Sequence, residues 1–316
     1  MIKLQLISNL RSVSLLVRVL PLLKYVKSLS DEVQVYVTLV GYKTIKGVPR
    51  DFMETVMPIS LDKISYVFRL LKDTDILMVN NLFSLPVWFL CKLCKIIVNR
   101  KVKMILDLCD PRFLCKFKLG KIEVKHPSFL CLEKLISLAD YVTTSSHFTL
   151  KYVKAFNDKS DVIHDPIDTE KIKPNDSNFS SKLTIGWEGI PANHIPNLSI
   201  LVNPLTKLAR QYDFKFKIVS WLNDWRVKRL FKRLENFIEV DYGSNISLPL
   251  DEHLELCKDF DIMVAPLCDI PWYEGKSALK VGIGMAMGIP VVASPVGEQK
   301  YVVKHGINGF FARNED

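Results

Sequence analysis

Short runs of β-branched and aliphatic residues alternate with longer runs of helical periodicity along the chain. Strands are expected at residues 4–8, 33–40, 75–79, 102–108 and 141–144, with a short extended piece at 55–58. Helices are expected at 13–29, 61–71, 85–98 and 130–138. A further short strand from Asp161 leads into a turn at Pro166. The polar stretch Lys173-Pro174-Asn175-Asp176-Ser177-Asn178 then has the composition of a linker. After it the alternation restarts, with strands at 183–187, 214–219, 238–240, 262–265 and 291–293 and helices at 196–211, 225–234, 250–258 and 276–288. A repeated β–α unit predicts a parallel sheet covered by helices. The fold class is therefore α/β, with two Rossmann-like parallel-sheet domains at 1–172 and 183–316 joined by a linker at 173–182. Two such domains are expected to turn the C-terminal ends of their strands toward one cleft, where helix N-termini favour phosphate.

The 316 residues suit two domains better than one. A hydrophobic content of 48% with 24% charged residues fits a globular chain and excludes disorder. Charge is distributed unevenly: residues 1–140 hold 22 Lys/Arg against 12 Asp/Glu, and residues 141–316 hold 21 against 22. A one-sided basic field suits an anionic partner such as a lipid headgroup or a phosphorylated acceptor, or serves solubility alone. Nucleic acid is not expected as a partner, because no recognised binding module accompanies the charge.

Seven cysteines, an odd number in a chain of this size, argue against a disulfide framework and for a reducing, cytoplasmic setting. Cys91 and Cys94 are spaced C-x-x-C but lie within an apolar helical run, with no second ligand pair to complete a zinc site. They read as core cysteines. No signal peptide is evident, and no uncharged apolar window reaches membrane-spanning length. Lys92 and Lys95 interrupt the apolar run at 82–98, which suits a helix lying on a membrane surface or one packed on a sheet with a wet edge.

The densest chemistry lies between Asp261 and Phe311. A buried strand, Ile262-Met263-Val264-Ala265, runs into a loop and then a helix expected to open at Gly275-Lys276-Ser277. Gly275 allows close approach of a ligand to the backbone, and Ser277 can cap the helix. A lysine in a first helical turn is disfavoured by the dipole unless an anion faces it, and Lys280 follows Lys276 one turn later. The pair reads as a diphosphate clamp or, more plainly, as a solvated helix face.

These residues resemble the retaining group 1 glycosyltransferases of GT-B fold. The similarity is carried by Pro266, Leu267, Asp269, Trp272, Gly275, Lys276, Lys280, Met285, Ala286, Gly288, Pro290 to Gly297, Gly306, Asn308, Gly309 and Phe310. Shorter resemblances fall at Ala139-Asp140-Tyr141-Val142, at Asp165-Pro166-Ile167-Asp168 and at Ile185-Gly186-Trp187-Glu188-Gly189. The resemblance implies a sugar transfer from a nucleotide-sugar donor, held by the second half, to a hydroxyl acceptor docked on the first. A glycan or lipid-linked acceptor is expected, in surface polysaccharide or glycolipid synthesis, with peripheral contact to an anionic membrane through the basic N-terminal half. It also implies retention of anomeric configuration and no metal or other cofactor, because basic groups and a helix N-terminus neutralise the diphosphate. No D-x-D pair is suited to a metal-bound nucleotide sugar, and Asp107 and Asp110 are spaced D-x-x-D.

The expected donor-binding residues are Gly189, Asn193, His194, Glu274, Gly275, Lys276, Ser277 and Lys280. Asn193 and His194 stand where the family usually carries a basic pair, and can still donate hydrogen bonds to phosphate. Asp107 and Asp110 follow the strand where the family places a reacting-centre histidine, so they are the catalytic candidates; their other reading is a turn and cap before Pro111. Ile283 occupies the slot where the family carries a Glu or Gln for the ribose. That departure keeps open a catalytically impaired binding subunit, and a nucleotide-sugar 2-epimerase of the same fold is the other alternative. Relatives continue for several helices beyond the position of Asp316, so the C-terminal helices are expected to be missing here. Trp187 and Trp272 read as core or cleft walls.

Overall fold

A computed structural model describes residues 2–9, 18–30, 32–40, 53–57, 71–98, 101–119, 122–125, 129, 131–174, 182–220, 224–243 and 250–313. The chain forms two compact units. The first comprises Met1–Pro166 with Gly275–Ser277, and the second Ile167–Glu274 with Ala278–Asp316.

In the first unit the strands are β1 (Ile2–Asn9), β2 (Val33–Val40), β3 (Met53–Met57), β4 (Ile76–Asn80), β5 (Lys103–Leu108), β6 (Lys116–Leu119), β7 (Ile122–Lys125), β8 (Tyr141–Thr144) and β9 (Ser160–Val162). Seven of them form a sheet in the order β3-β2-β1-β4-β5-β8-β9, every pair parallel, and β6 and β7 make a separate antiparallel hairpin. β1 is central. The chain winds outward to β3 on one side and then returns to β4 on the other, which sets a topological switch point between β1 and β4. Leu4, Leu6, Val35, Val37 and Met78 pack one core cluster with Val19 and Leu23. Leu77, Val79, Met104 and Leu106 pack another with Leu132, Leu135 and Ile136. Alternate residues of one strand thus feed opposite faces, as the two-residue side-chain period requires.

The second unit repeats the plan with β10 (Leu183–Gly189), β11 (Phe214–Ser220), β12 (Glu239–Asp241), β13 (Ile262–Ala265), β14 (Val291–Ala293) and β15 (Phe310–Phe311), ordered β12-β11-β10-β13-β14-β15 and parallel throughout. Its switch point lies between β10 and β13. Ile185, Trp187, Phe214, Phe216 and Ile218 fill one face with Leu198, Leu205, Phe231 and Leu234. Met263, Ala265, Val291 and Ala293 fill the other with Val281, Ile283, Met287 and Phe260.

The expected strands fall within about two residues of their places, while the hairpin strands β6 and β7 and the short β15 were not among them. The helices fit less closely. The run expected at 196–211 is broken into Ile195–Ser199 and Val202–Ala209. The run at 85–98 is an α-helix over Leu85–Leu93 that widens into a π-helical turn over Cys94–Val98. The helix expected at 276–288 begins only at Leu279 and ends at Ala286. Pro271–Glu274 forms its own short turn ahead of it. The helix expected at 61–71, the start of that at 13–29 and most of the linker at 173–182 lie outside the described residues. The cysteines are unpaired, and burial pushes the Cys91 thiol up to about 12 and the Cys94 thiol up to about 11, as befits inert core groups.

The sheet is packed most closely at Gly186, where an added Cβ would lie 2.1 Å from the ring of Phe260, a buried residue of the loop before β13. Gly186→Ala should therefore lower stability by about 1–3 kcal/mol through overpacking. Urea unfolding of the full chain checks this, and an unchanged midpoint would show that the ring yields without cost.

Candidate functional site

Within the first unit, the switch point is filled by a buried polar network. Ser8 at the end of β1 donates to Asn80 Oδ1 at the end of β4 (2.8 Å), and Asn80 Nδ2 donates to Asp107 Oδ2 (2.8 Å). Asp107, 0% exposed, also accepts from Thr143 Oγ1 at 2.6 Å and from Arg18, whose Nε lies 3.1 Å and Nη2 2.9 Å from Oδ1. Arg18 reaches on to Asp165 at 3.0 Å and to the carbonyl of Ile163. Burial pushes the Asp165 carboxyl up, and Arg18 and Ser277 pull it back. A carboxylate so enclosed and so fully bonded has neither access to an acceptor nor a lone pair to offer it. The structure thus makes Asp107 an anchor of the sheet rather than the catalytic group expected of it.

Asp110 lies beyond the end of β5. Its carboxylate is 2.8 Å from Lys276 Nζ and 2.8 Å from Arg112 Nη2. Burial opposes its ionisation, but the two cations hold the carboxyl below the usual range, which suits an ion pair better than a general base. Lys276 belongs to the Gly275–Ser277 segment that groups with the first unit. Ser146 Oγ donates to the Gly275 carbonyl at 3.2 Å, and a Cβ on Gly275 would lie 2.5 Å from Pro111. The sequence placed Gly275, Lys276 and Ser277 in a first helical turn facing phosphate. Here they precede the helix, and their side-chain and backbone contacts are to Asp110, Asp165, Ser146 and Pro111. The reason is local: the turn over Pro271–Glu274 ends at Gly275, and Ala278, at φ −92° and ψ 26°, becomes the N-cap.

Within the second unit, the corner beside the switch point is different. β10 ends in Trp187-Glu188-Gly189, and Gly189 takes φ +147°, a conformation that favours glycine. Lys280, in the first turn of the Leu279–Ala286 helix, lies against it: a Cβ on Gly189 would meet Lys280 Nζ at 2.2 Å. The ammonium stands 5.1 Å from the centroid of the Trp187 ring and 3.6 Å from Glu188 Oε2. Glu188, 5% exposed, also holds the buried His253 Nε2 at 3.0 Å. The helix has no side-chain cap and no acid in its first turn, so a cation there faces the positive end of the dipole, offset by Glu188 and the indole face.

His194 follows the turn over Pro191–Asn193. Its ring sits 5.8 Å from that of Trp187, edge-on, and 6.3 Å from that of Tyr273. His194 Nδ1 is 2.8 Å from Asn197 Nδ2, and the Asn193 carbonyl is 3.4 Å from the Tyr273 hydroxyl. Gly189, Asn193, His194 and Lys280 are thus brought to one corner of the second unit. Glu274 is engaged elsewhere: it holds Lys300 at 3.0 Å and accepts from the Gly297 N–H at 3.2 Å, at a glycine of φ +60°. Ile283 is buried in the core with Met263 and Val291. Sequence reasoning missed Arg18, Glu188, His253 and Asn197; only the burial of Glu188 at the end of an apolar strand signals one of them. An open groove of about 820 Å³ on the second unit, lined by Leu205, Leu208, Ile262 and Val264 among others, does not include the Gly189 corner.

Two parallel-sheet α/β domains of this kind make up the GT-B fold. The structure is similar over its whole length to a glycosyltransferase from Rickettsia africae, with a TM-score of 0.69 and 17% identity, covering 100% of this chain and 85% of that one. It is similar to Anabaena HepE in complex with UDP and glucose, with a TM-score of 0.67 and 17% identity over 98% and 86% of the two chains. A lipopolysaccharide outer core galactosyltransferase, WaaB, follows at 0.64 and 12% identity, over 99% and 86%. At such identities the likeness speaks for the fold. No curated protein matches the chain in sequence. Residues 185–316 match the family described as glycosyl transferases group 1, and this part of the chain belongs to that family. The enzyme is a glycosyltransferase.

Removing the carboxylate with Asp107→Ala leaves Arg18 short of its buried partner and should cost about 3–5 kcal/mol in urea unfolding, whereas a group serving catalysis alone would leave the midpoint in place. Asp110 behaves differently with pH. Its folded carboxyl is depressed below the unfolded 3.8, so its pairing stabilises the chain above that value and is lost as pH falls through the folded one. Asp110→Asn should remove this contribution and flatten the acid limb of a stability–pH curve; an unchanged limb would contradict the pairing.

Proposed function

We propose that the protein transfers a sugar from a nucleotide-sugar donor to a hydroxyl acceptor, with retention of anomeric configuration and without a metal ion, and that the donor's diphosphate binds at the Gly189–Lys280 corner of the second unit. The observation that carries this reading is the placement of Lys280 in an uncapped first helical turn, directly on a glycine at the switch point. An anion in front of that turn would gain the free N–H groups, the dipole and the ammonium together. The same groups would meet the charge that develops on the leaving diphosphate, the role a divalent cation plays elsewhere. The similarity to HepE, whose structure holds UDP and glucose, supports a UDP-type donor. Retention follows from the group 1 resemblance.

Calorimetry with UDP tests the site. Lys280→Ala should weaken binding about tenfold to a hundredfold, equivalent to about 1.5–3 kcal/mol for a charge-assisted contact. Lys276→Ala, whose ammonium is already held by Asp110, should weaken it less. Equal affinity in Lys280→Ala and the wild type would remove Lys280 from the site.

The buried Ile283 favours a second reading, in which the chain binds donor without turning it over. Release of nucleoside diphosphate from a panel of nucleotide sugars, with and without acceptor, separates the two.

The acceptor is proposed to be lipid-linked or otherwise anionic and to engage the first unit. Supporting this, the Leu85–Leu93 helix and the turn after it carry Leu85 (61% exposed), Phe89 (56%) and Ile96 (50%) at spacings of four and seven, on one face. Lys92 and Lys134 flank Trp88 beside them, 5.1 and 5.0 Å from its ring. Lys95 does not join them, since it is tied to Asp140 at 2.6 Å. Among the described residues no helix is long and apolar enough to cross a membrane. Co-sedimentation with vesicles containing anionic lipid should fall at high salt and in Phe89→Asp. Binding that is absent, or indifferent to both, would reject membrane contact.

A further inference from the structure

The second unit contains a chain of hydrogen bonds whose direction is fixed at one end, and it reaches His194. We propose that Asn197 is a positioning residue that locks the tautomer of His194, leaving Nδ1 bare and the ring proton on Nε2, so that His194 meets the donor's diphosphate as an N–H donor. This inference rests on the donor-site reading above.

Asn197 is 0% exposed, so its amide must be satisfied by protein groups. Its Oδ1 lies 2.8 Å from the backbone N–H of Cys268. A backbone N–H only donates, so the oxygen of the amide must face it. The amide nitrogen therefore faces His194, with Nδ2 2.8 Å from Nδ1. An amide NH2 also only donates, so Nδ1 must carry no proton and accept. A neutral imidazole has one N–H, which then sits on Nε2. Beside the ring, the Tyr273 hydroxyl donates to the Asn193 carbonyl at 3.4 Å. Reversing the amide would set its NH2 against the Cys268 N–H and bring its oxygen to the bare Nδ1. Every link of the network therefore runs one way, from a backbone donor that cannot be reversed.

The ring is held in place as well as in tautomer. It lies between Trp187 and Tyr273, nearly parallel to the latter at 21°, in the unit that carries Gly189 and Lys280. An Nε2–H so fixed suits phosphate oxygens, which only accept.

Nitrogen NMR on the full chain labelled with 15N-histidine tests the lock directly. The chain has six histidines, few enough for His194 to be assigned by its loss in His194→Gln. In the wild type at neutral pH, Nδ1 should show the signature of a bare ring nitrogen and Nε2 that of a protonated one. Asn197→Asp, whose carboxylate only accepts, should move a proton onto Nδ1. A protonated Nδ1 in the wild type, or a spectrum unchanged in Asn197→Asp, would overturn the lock. UDP calorimetry tests the donation. His194→Gln retains an amide near the place of Nε2 and should stay within about threefold of the wild type, whereas His194→Asn sets its amide near Nδ1 and should bind about tenfold more weakly or worse. Equal affinities for the two variants would overturn the donation to phosphate. A wild type that binds no UDP would sink the donor-site reading and the donation with it, while the nitrogen spectra still judge Asn197 alone.

Discussion

A carboxylate enclosed by protein stays ionised only if cations or hydrogen-bond donors meet it there, because burial alone drives it to the neutral form. Glu188 is such a group, at the end of the central strand of the second unit, and the local architecture is organised around it. One oxygen faces His253 and the other Lys280. That draws the lysine across the start of a helix where the dipole disfavours it, onto a glycine that has no side chain to exclude it. A cation held beside a helix start without a side-chain cap gathers hydrogen-bond donors at one corner, the chemistry an anionic diphosphate would use.

The two units show the same plan put to different uses. Each has its central strand beside a switch point, and each sets a buried carboxylate at the next-to-last residue of a strand, Asp107 in β5 and Glu188 in β10. In the first unit the carboxylate is saturated by Arg18, Asn80 and Thr143, and its network bridges the switch point with Ser8. In the second, the partner of the carboxylate is a lysine that remains partly exposed. Both begin from an acid beside a basic group, but the first is a saturated anchor, whereas the second leaves its lysine partly exposed.

The strands were legible in the sequence because a buried parallel strand is a short apolar run bounded by polar residues, as at Tyr141–Thr144 and Ile262–Ala265, where the expected and observed bounds coincide. The start of the Leu279–Ala286 helix was not, because Gly275-Lys276-Ser277 carries the chemistry of a helix opening while its contacts lie with residues more than a hundred positions away. The same distance explains Asp107. Its spacing to Asp110 suggests paired acids, but Arg18, 89 residues earlier, decides its role. Of the residues in and behind the Gly189 corner, Gly189 and Lys280 were recoverable from a family resemblance. Asn197 and His253 were not, since a buried amide or imidazole shows in a sequence only as one polar residue on a helix.

The account is tested most directly by a crystal structure of the chain with UDP. The diphosphate should lie within hydrogen-bond reach of Lys280 Nζ, the first-turn N–H groups of the Leu279–Ala286 helix and His194 Nε2. A diphosphate bound instead at Lys276 and Ser277, with the Gly189 corner empty, would contradict it.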